Sequence, residues 1–411
     1  MTRVCVVGSG AREHALADVL GRDADVVVTP GNPGIPGSTA RPPEEITADL
    51  FVIGPEAPLV DGLADRLRAR GASVFGPGAD GARLEGSKAW MKDLLAEAGV
   101  PTARHGTFSN EADAVAFLDT LGDLFVIKTD GLAAGKGVLV TEARADAVAA
   151  VREYLSGAAF GDAGTTVVIE EGLTGPELSV LAVCDGTRAV ALPPAQDFKR
   201  VGDGDIGPNT GGMGAYSPVP LAGPDLVGTI MAEGVEPTMA ALRARGIDYR
   251  GVLYAGLMLT PAGPKMLEYN VRFGDPEAQV VLPRFTSDLA ALLGAAAQGC
   301  LPADTQFSDD AVVGVVAATE GYPQSPRIGD PIHGLDAANE LEGVFVYCAG
   351  VGADHEGLVT AGGRVLSVCG RGATLAEART RAYDGVSAIS WPGMHHRHDI
   401  AQVAVKGEAT P

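Results

Sequence analysis

Residues 251–277 confine the possible folds more tightly than any other stretch. Gly251 to Thr260 (GVLYAGLMLT) is an apolar run with the length and residue types of a buried strand. Pro261-Ala262-Gly263-Pro264 follows, a cluster that turns the chain. Lys265 to Val271 then reads as the returning strand, so the pair predicts a β-hairpin. Alternation along that strand sends Glu268, Asn270 and Arg272 to one face. The first two offer hard oxygens of the kind that bind Mg²⁺ together with phosphate and water. A guanidinium beside them can grip phosphate in a fork. The competing reading is an amphipathic strand with a solvated polar face; the apolar remainder of the hairpin argues against it.

The start of the chain carries a second phosphate signal. Arg3 to Val7 is a short buried strand, Gly8-Ser9-Gly10-Ala11 a tight turn, and Arg12, Glu13 and His14 open a helix. Backbone amides and the helix dipole at such a turn can cradle an anion. A dinucleotide fingerprint would need glycine where Glu13 stands, and an acid after the second strand. Val26 to Thr29 runs instead into Pro30-Gly31-Asn32-Pro33-Gly34, so a nicotinamide site is disfavoured. Leu50 to Ile53, ending in Gly54-Pro55-Glu56, and Val74-Phe75 are further strands. Residues 1–86 are therefore expected to form a parallel α/β domain with loops 8–14, 31–34 and 54–59 along one edge.

Ser87 caps a helix whose first turn holds Lys88, a cation placed against the helix dipole and so suited to an anionic partner. Lys128 lies in an apolar strand (LFVIKT), where burial without an anion would be costly. The small-residue turn with Gly131, Gly135, Lys136 and Gly137 leads to another strand, a pattern expected of a mobile lid over polyphosphate. It lacks the Walker ending. Val167 to Glu170 runs into a hinge, Glu171-Gly172-Leu173, that could read a base edge, and Glu177 could accept from ribose hydroxyls. Pro193 to Tyr216 shows no period and reads as one long loop. Within it Asn209, Thr210, Gly211, Gly212, Met213 and Gly214 are expected to offer bare amides to an anion or carboxylate. Residues 311–411 read as a closing α+β domain, with His395-His396-Arg397-His398 in an exposed tail loop.

Composition bounds the partners. The chain has 411 residues, 52 acids against 31 Lys and Arg, and a net charge of −21. Such a surface repels nucleic acid and anionic membrane, so anionic ligands need local positive groups. The five cysteines are scattered, mostly in apolar runs, and read as core thiols in a reducing compartment. No apolar run is long enough to span a membrane and no leader is evident, which makes a cytoplasmic setting the expectation. Oligomeric state is open, with a monomer as the simplest expectation.

Six blocks together resemble one family: GSGAREHA, GPEAPLVDG, LEGSKAWMKD, KTDGLAAGKG, GPNTGGMGAYSP and LEYNVRFGDPE. The resemblance, from Val4 to about Ile400, is to the phosphoribosylamine–glycine ligases, ATP-grasp enzymes of purine biosynthesis. It implies a multidomain α/β and α+β chain: an N-terminal parallel α/β (pre-ATP-grasp) domain at 1–86, an ATP-grasp core at 87–310 with a mobile lid at about 105–175, and a C-terminal α+β domain at 311–411. It implies ATP with Mg²⁺, or Mn²⁺, as cofactors, and glycine and 5-phosphoribosylamine as substrates. By position, Lys88, Lys128 and Lys136 would hold phosphates, Glu170 to Leu173 adenine, and Glu177 the ribose. Glu268 and Asn270 would bind the metal, and Arg272 would stabilise the transferring phosphoryl group. Residues 8–14, 31–34 and 54–59 would hold the ribose phosphate; the amides at 209–214 with Asp275 would meet the acceptor and glycine. The chain departs from the wider pattern in having no acid between Gly251 and Leu267, in Ala11 and in Thr129.

Overall fold

A computed structural model describes residues 1–131, 137–157, 166–302 and 305–407. The first strand, Thr2–Gly8, is followed by the helix Ala11–Leu20 and the strands Ala24–Pro30, Leu50–Ile53 and Val74–Phe75. They form a parallel sheet in which Thr2–Gly8 lies between Ala24–Pro30 and Leu50–Ile53. Its near-continuous apolar strands are buried, as a sheet covered on both faces requires. The order reverses direction at Thr2–Gly8, which opens a crevice at its C-terminal end.

The predicted hairpin is present as Arg250–Thr260 and Gly263–Asn270, paired antiparallel. Glu177–Asp185 pairs with the other side of Arg250–Thr260. Register then sets three rows across the sheet: Glu177 opposite Met258, Ser179 opposite Gly256 and Glu268, and Leu181 opposite Tyr254 and Asn270. Asn270 ends the strand, so Arg272 sits in the bend beyond it, not within the pleat.

Residues 105–171 make a separate antiparallel sheet, His105–Phe108, Val167–Glu171, Phe125–Thr129 and Val138–Thr141, in that order. The helices Glu111–Leu118 and Arg144–Leu155 accompany it. Its apolar side chains, among them Leu118, Ile127, Val151 and Ile169, form their own cluster, distinct from the one running through the other sheets.

Two expectations are corrected. The stretch 193–216 is not one irregular loop but contains four short strands, Gln196–Asp197, Arg200–Gly202, Ile206–Asn209 and Gly214–Ser217. Segments this short and glycine-rich carry no readable period. Gln196–Asp197 and Gly214–Ser217 join Ala311–Ala318, Arg364–Gly372 and Val344–Cys348 in one sheet, packed by the helix Leu375–Ala388. The tail loop is exposed at His395 and His398, as expected, but closed at Arg397. Arg397 is 1% exposed, pairs with Asp205 (2.6 Å) and Asp399 (2.7 Å), and lies 4.8 Å from the Phe198 ring centroid. His395 Nε2 and His398 Nδ1 meet the Val201 carbonyl (2.8 Å) and Asp203 (3.0 Å). A buried guanidinium demands such partners; Asp399 supplies one from two residues away and Asp205 the other from a distant segment.

Arg397→Met should leave Asp399 without its counter-charge and destabilise the fold by about 2–4 kcal/mol, read as a lower urea midpoint. An unchanged midpoint would refute the latch.

Candidate active site

One cavity of about 1450 Å³ is floored by the rows of the central sheet. It is lined by Arg12, Pro55 and Glu56 from the N-terminal sheet, by Lys88, Lys128, Gly131, Gly137, Glu170, Glu171, Leu173 and Glu177, by Asn209, Thr210 and Gly211, and by Glu268, Asn270, Arg272 and Asp275. Expected groups from every part of the chain thus converge. Gly135 and Lys136 lie outside the described residues.

The nucleotide-side lysines are held by a carboxylate. Glu170, 2% exposed, takes Lys128 at 2.7 Å on one oxygen and Lys92 at 2.8 Å on the other. Burial alone would push Glu170 up; the two ammonium groups together hold it below its ordinary range. Burial lowers Lys92 to about 8, whereas the carboxylates of Glu170 and Glu268 keep Lys128 above its usual value against the same burial. Lys92 also donates to Thr102, whose hydroxyl donates to the Met266 carbonyl and so ties the group to the hairpin. Sequence reasoning missed Lys92; its signal was the one-turn spacing from Lys88 beside the apolar Met91 and Leu95. Glu170 therefore turns its side chain to these lysines. Lys88 donates to the Gly131 carbonyl at 2.8 Å, and burial lowers its pKa. Glu171 accepts from the Arg104 amide. Glu177 is held by Lys199 (2.9 Å), which also binds Asp197 (2.7 Å).

Arg272 is gripped on several sides. It donates to Asn270 Oδ1 (2.8 Å) and Glu85 Oε1 (3.0 Å), and its Nε lies 3.4 Å from Glu56. Burial would lower it, but Glu85, Glu56 and Glu277 raise it, so it stays charged. Glu85, missed in the sequence, also accepts from the Val271 amide. Glu268 and Asn270 present oxygens that fit part of a Mg²⁺ shell, with phosphate and water to complete it. Among the described residues no three His, Cys, Asp or Glu side chains form a cage.

Within the expected anion cradle at 8–14, the Gly10 amide is paired inside the chain. Glu13 accepts from the Gly10 amide (2.7 Å) and Arg12 Nε (2.6 Å), and a Cβ at Gly54 would lie 2.0 Å from its carboxylate. The Glu13 side chain thus makes half of a capping box, reaching back to the amide before the helix. Arg12 reaches across to the Phe273 carbonyl. His14 Nδ1 accepts from the Cys348 amide (2.8 Å), and Asn32 donates to the carbonyls of Ser9, Cys348 and Ala349. Asn32 Oδ1 also takes the Gly34 amide; Gly31 turns with φ 62°, and Pro33 is exposed. These residues join the N-terminal sheet to the last one.

The amides at 209–214 are not bare. Thr210 donates to the Lys199 carbonyl, Gly211 to the Tyr322 hydroxyl, Gly212 to Thr210 Oγ1 and Met213 to the Phe198 carbonyl. Met213 and Gly214 are buried and do not line the cavity. Arg364, which had no signature in the sequence, clamps this segment: it donates to the carbonyls of Gly211 and Asp275 and pairs with the Asp275 carboxylate (3.0 Å). Burial would raise Asp275, but Arg364 and Arg12 hold it below its usual range.

Family models of phosphoribosylglycinamide synthetase match the chain in three parts: the N domain over residues 2–85, the ATP-grasp (A) domain over 86–278 and the C domain over 312–403. The chain belongs to the phosphoribosylglycinamide synthetase family. It is 49% identical to the phosphoribosylamine–glycine ligase of Streptomyces coelicolor, over 98% of this chain and 99% of that one. The Caulobacter vibrioides ligase is 48% identical over 98% of each. The crystal structure of phosphoribosylamine–glycine ligase from Thermotoga maritima superposes with a TM-score of 0.85 at 35% identity, covering 97% of this chain and all of that one. The biotin carboxylase domain of Hydrogenobacter thermophilus 2-oxoglutarate carboxylase shares the fold, with a TM-score of 0.73 at 14% identity over 96% of this chain and 91% of that one. The family's three-domain, ATP-grasp architecture is thus that of this chain, and no helix among the described residues is long and apolar enough to cross a membrane.

The seam makes a titration prediction. Burial lowers His14 from 6.5 to about 4, so between those values the unfolded chain binds the extra proton and the folded one does not. Stability should therefore fall as pH drops through this window, by about 2 kcal/mol at about pH 4.5 relative to neutrality. His14→Gln, which can still accept from the Cys348 amide, should lose that component in paired urea titrations; identical pH slopes would refute it.

Proposed function

We propose that this protein ligates glycine to 5-phosphoribosylamine with ATP, giving glycinamide ribonucleotide, ADP and phosphate through glycyl phosphate, in purine biosynthesis. The convergence of Lys88, Lys128, Glu268, Asn270 and Arg272 on one cavity reached by the N-terminal sheet carries the reading. A carboxylate is a poor acyl donor, so phosphorylation must precede attack by the amine. Glu268 and Asn270 would hold Mg²⁺ or Mn²⁺, which supplies charge neutralisation on the phosphates.

The residues supply the rest. Lys128, set by Glu170, and Lys88 place positive charge where the nucleotide phosphates lie, with Lys136 of the glycine-rich turn as a third. Gly131 and Gly137, at the two ends of that turn, line the cavity. Adenine lies against the segment Glu170 to Leu173, with Glu177 on the ribose side. Arg272 is fixed by Glu85 and Glu56 and meets the charge that spreads over the transferring group. Arg12, Pro55 and Glu56 face the phosphoribosyl substrate, while Asp275 and the Asn209–Gly211 edge border the glycine side. The reaction runs in the cytoplasm.

ADP release should require Mg²⁺, glycine and phosphoribosylamine generated in situ together. Glu268→Gln should lower turnover at least ~100-fold with its melting temperature unchanged. Full activity in the variant would remove the metal role, and a better substrate than glycine would redirect the whole reading.

A further inference from the structure

The amine that attacks glycyl phosphate must lose a proton, and the groups discussed so far bind charge without removing one. Asp197 is the candidate. It sits on the short strand Gln196–Asp197, its side chain 5% exposed, on the wall of the cavity. Lys199 occupies its Oδ1 at 2.7 Å and leaves Oδ2 with no hydrogen-bond donor among the described residues.

Position is what singles it out. On one side Lys199 links Asp197 to Glu177, whose carboxylate feels Lys128 on the nucleotide side. On the other, Asp197 feels Glu277, which lies near Arg272 and Arg364 and accepts from the Tyr254 hydroxyl at 2.9 Å. Asp197 thus lines the same cavity as Lys88 and Lys128, on the nucleotide side, and as Arg272 and Arg364, on the acceptor side. An acyl phosphate passed from one to the other meets its nucleophile beside this carboxylate.

Resting on the ligase reading above, we propose that Asp197 is the general base for the amide-forming step. The amine nitrogen's lone pair forms the C–N bond. The bond from the acyl carbon to the phosphate oxygen breaks, and phosphate departs with that electron pair. One proton of the attacking nitrogen passes to Asp197 Oδ2 and from there to water.

The surroundings suit the task. Burial, with Glu277 and Glu177 nearby, pushes Asp197 up to about 7 although Lys199 opposes the shift. The charged and titratable groups facing it are Lys199 on its own segment, Glu177 from the adjoining strand, and Tyr254 and Glu277 from the central sheet and the turn beyond it. A base poised near the working pH combines availability with driving force.

The test separates acyl transfer from glycine activation. Hydroxylamine traps acyl phosphates without a base, so glycine- and ATP-dependent hydroxamate formation reports activation alone. For Asp197→Asn, amide formation with phosphoribosylamine should fall ~100-fold or more while hydroxamate formation stays within ~3-fold of wild type. Asp197→Glu should recover part of the amide rate, and the acidic limb of kcat/KM near pH 7 in the wild type should be absent from Asp197→Asn. The proposal is overturned if amide formation survives in Asp197→Asn, or if both reactions fall together in a variant that melts like wild type. Should Asp197→Asn fail to fold, Asp197→Glu and the wild-type pH profile decide: no acidic limb, or one unmoved by glutamate, overturns it. Absence of any glycine-dependent hydroxamate in the wild type would instead strike the ligase reading itself.

Discussion

One buried carboxylate organises the nucleotide side of this protein. Glu170 comes from the sheet of residues 105–171, and the two ammonium groups it binds come from different bodies: Lys128 from that same sheet, Lys92 from the helix after the N-terminal domain. Three charges this deep are tolerable only together, since removing one strands the others. The same constraint decides where the cavity's positive charge points. Without Glu170, Lys128 would have no reason to remain in an apolar strand.

A second charge relay does the same for the acceptor side. Arg272 leans on Glu85 and Glu56, and Asp275 on Arg364, so groups from the N-terminal sheet, the hairpin and the last sheet share one set of ion pairs. Catalytic charge is pre-oriented by partners that are themselves partly buried, which limits reorganisation when substrate charge shifts.

Much of this was legible in the sequence. The hairpin, the parallel N-terminal sheet, Lys88, Lys128 and the Glu268–Asn270 pair follow from period, turn chemistry and misplaced charge. What stayed hidden depends on contacts between distant segments. Lys92 looks like a helix-surface lysine until Glu170 is placed against it. Glu13 reads as an obstacle to a dinucleotide and proves to be the carboxylate that fills the turn. Amides at 210–213 look free because their acceptors, such as Tyr322, lie a hundred residues away or belong to strands too short to show a pattern. Arg364 carries no local signature, because its meaning is set by Asp275; Arg397 has Asp399 two residues on, but its other partner, Asp205, belongs to a distant segment.

The strand Gly214–Ser217 has a consequence for how the molecule comes into being. Its lateral partner is Ala311–Ala318, which in turn leans on Arg364–Gly372. On the ribosome the chain emerges from its N-terminus, and a pairing this distant must wait. The wall of the cavity that bears Asp197 and the clamp from Arg364 is therefore assembled last. Until Ala311–Ala318 and Arg364–Gly372 have emerged, the segment that bears Asp197 lacks both its lateral support and its clamp.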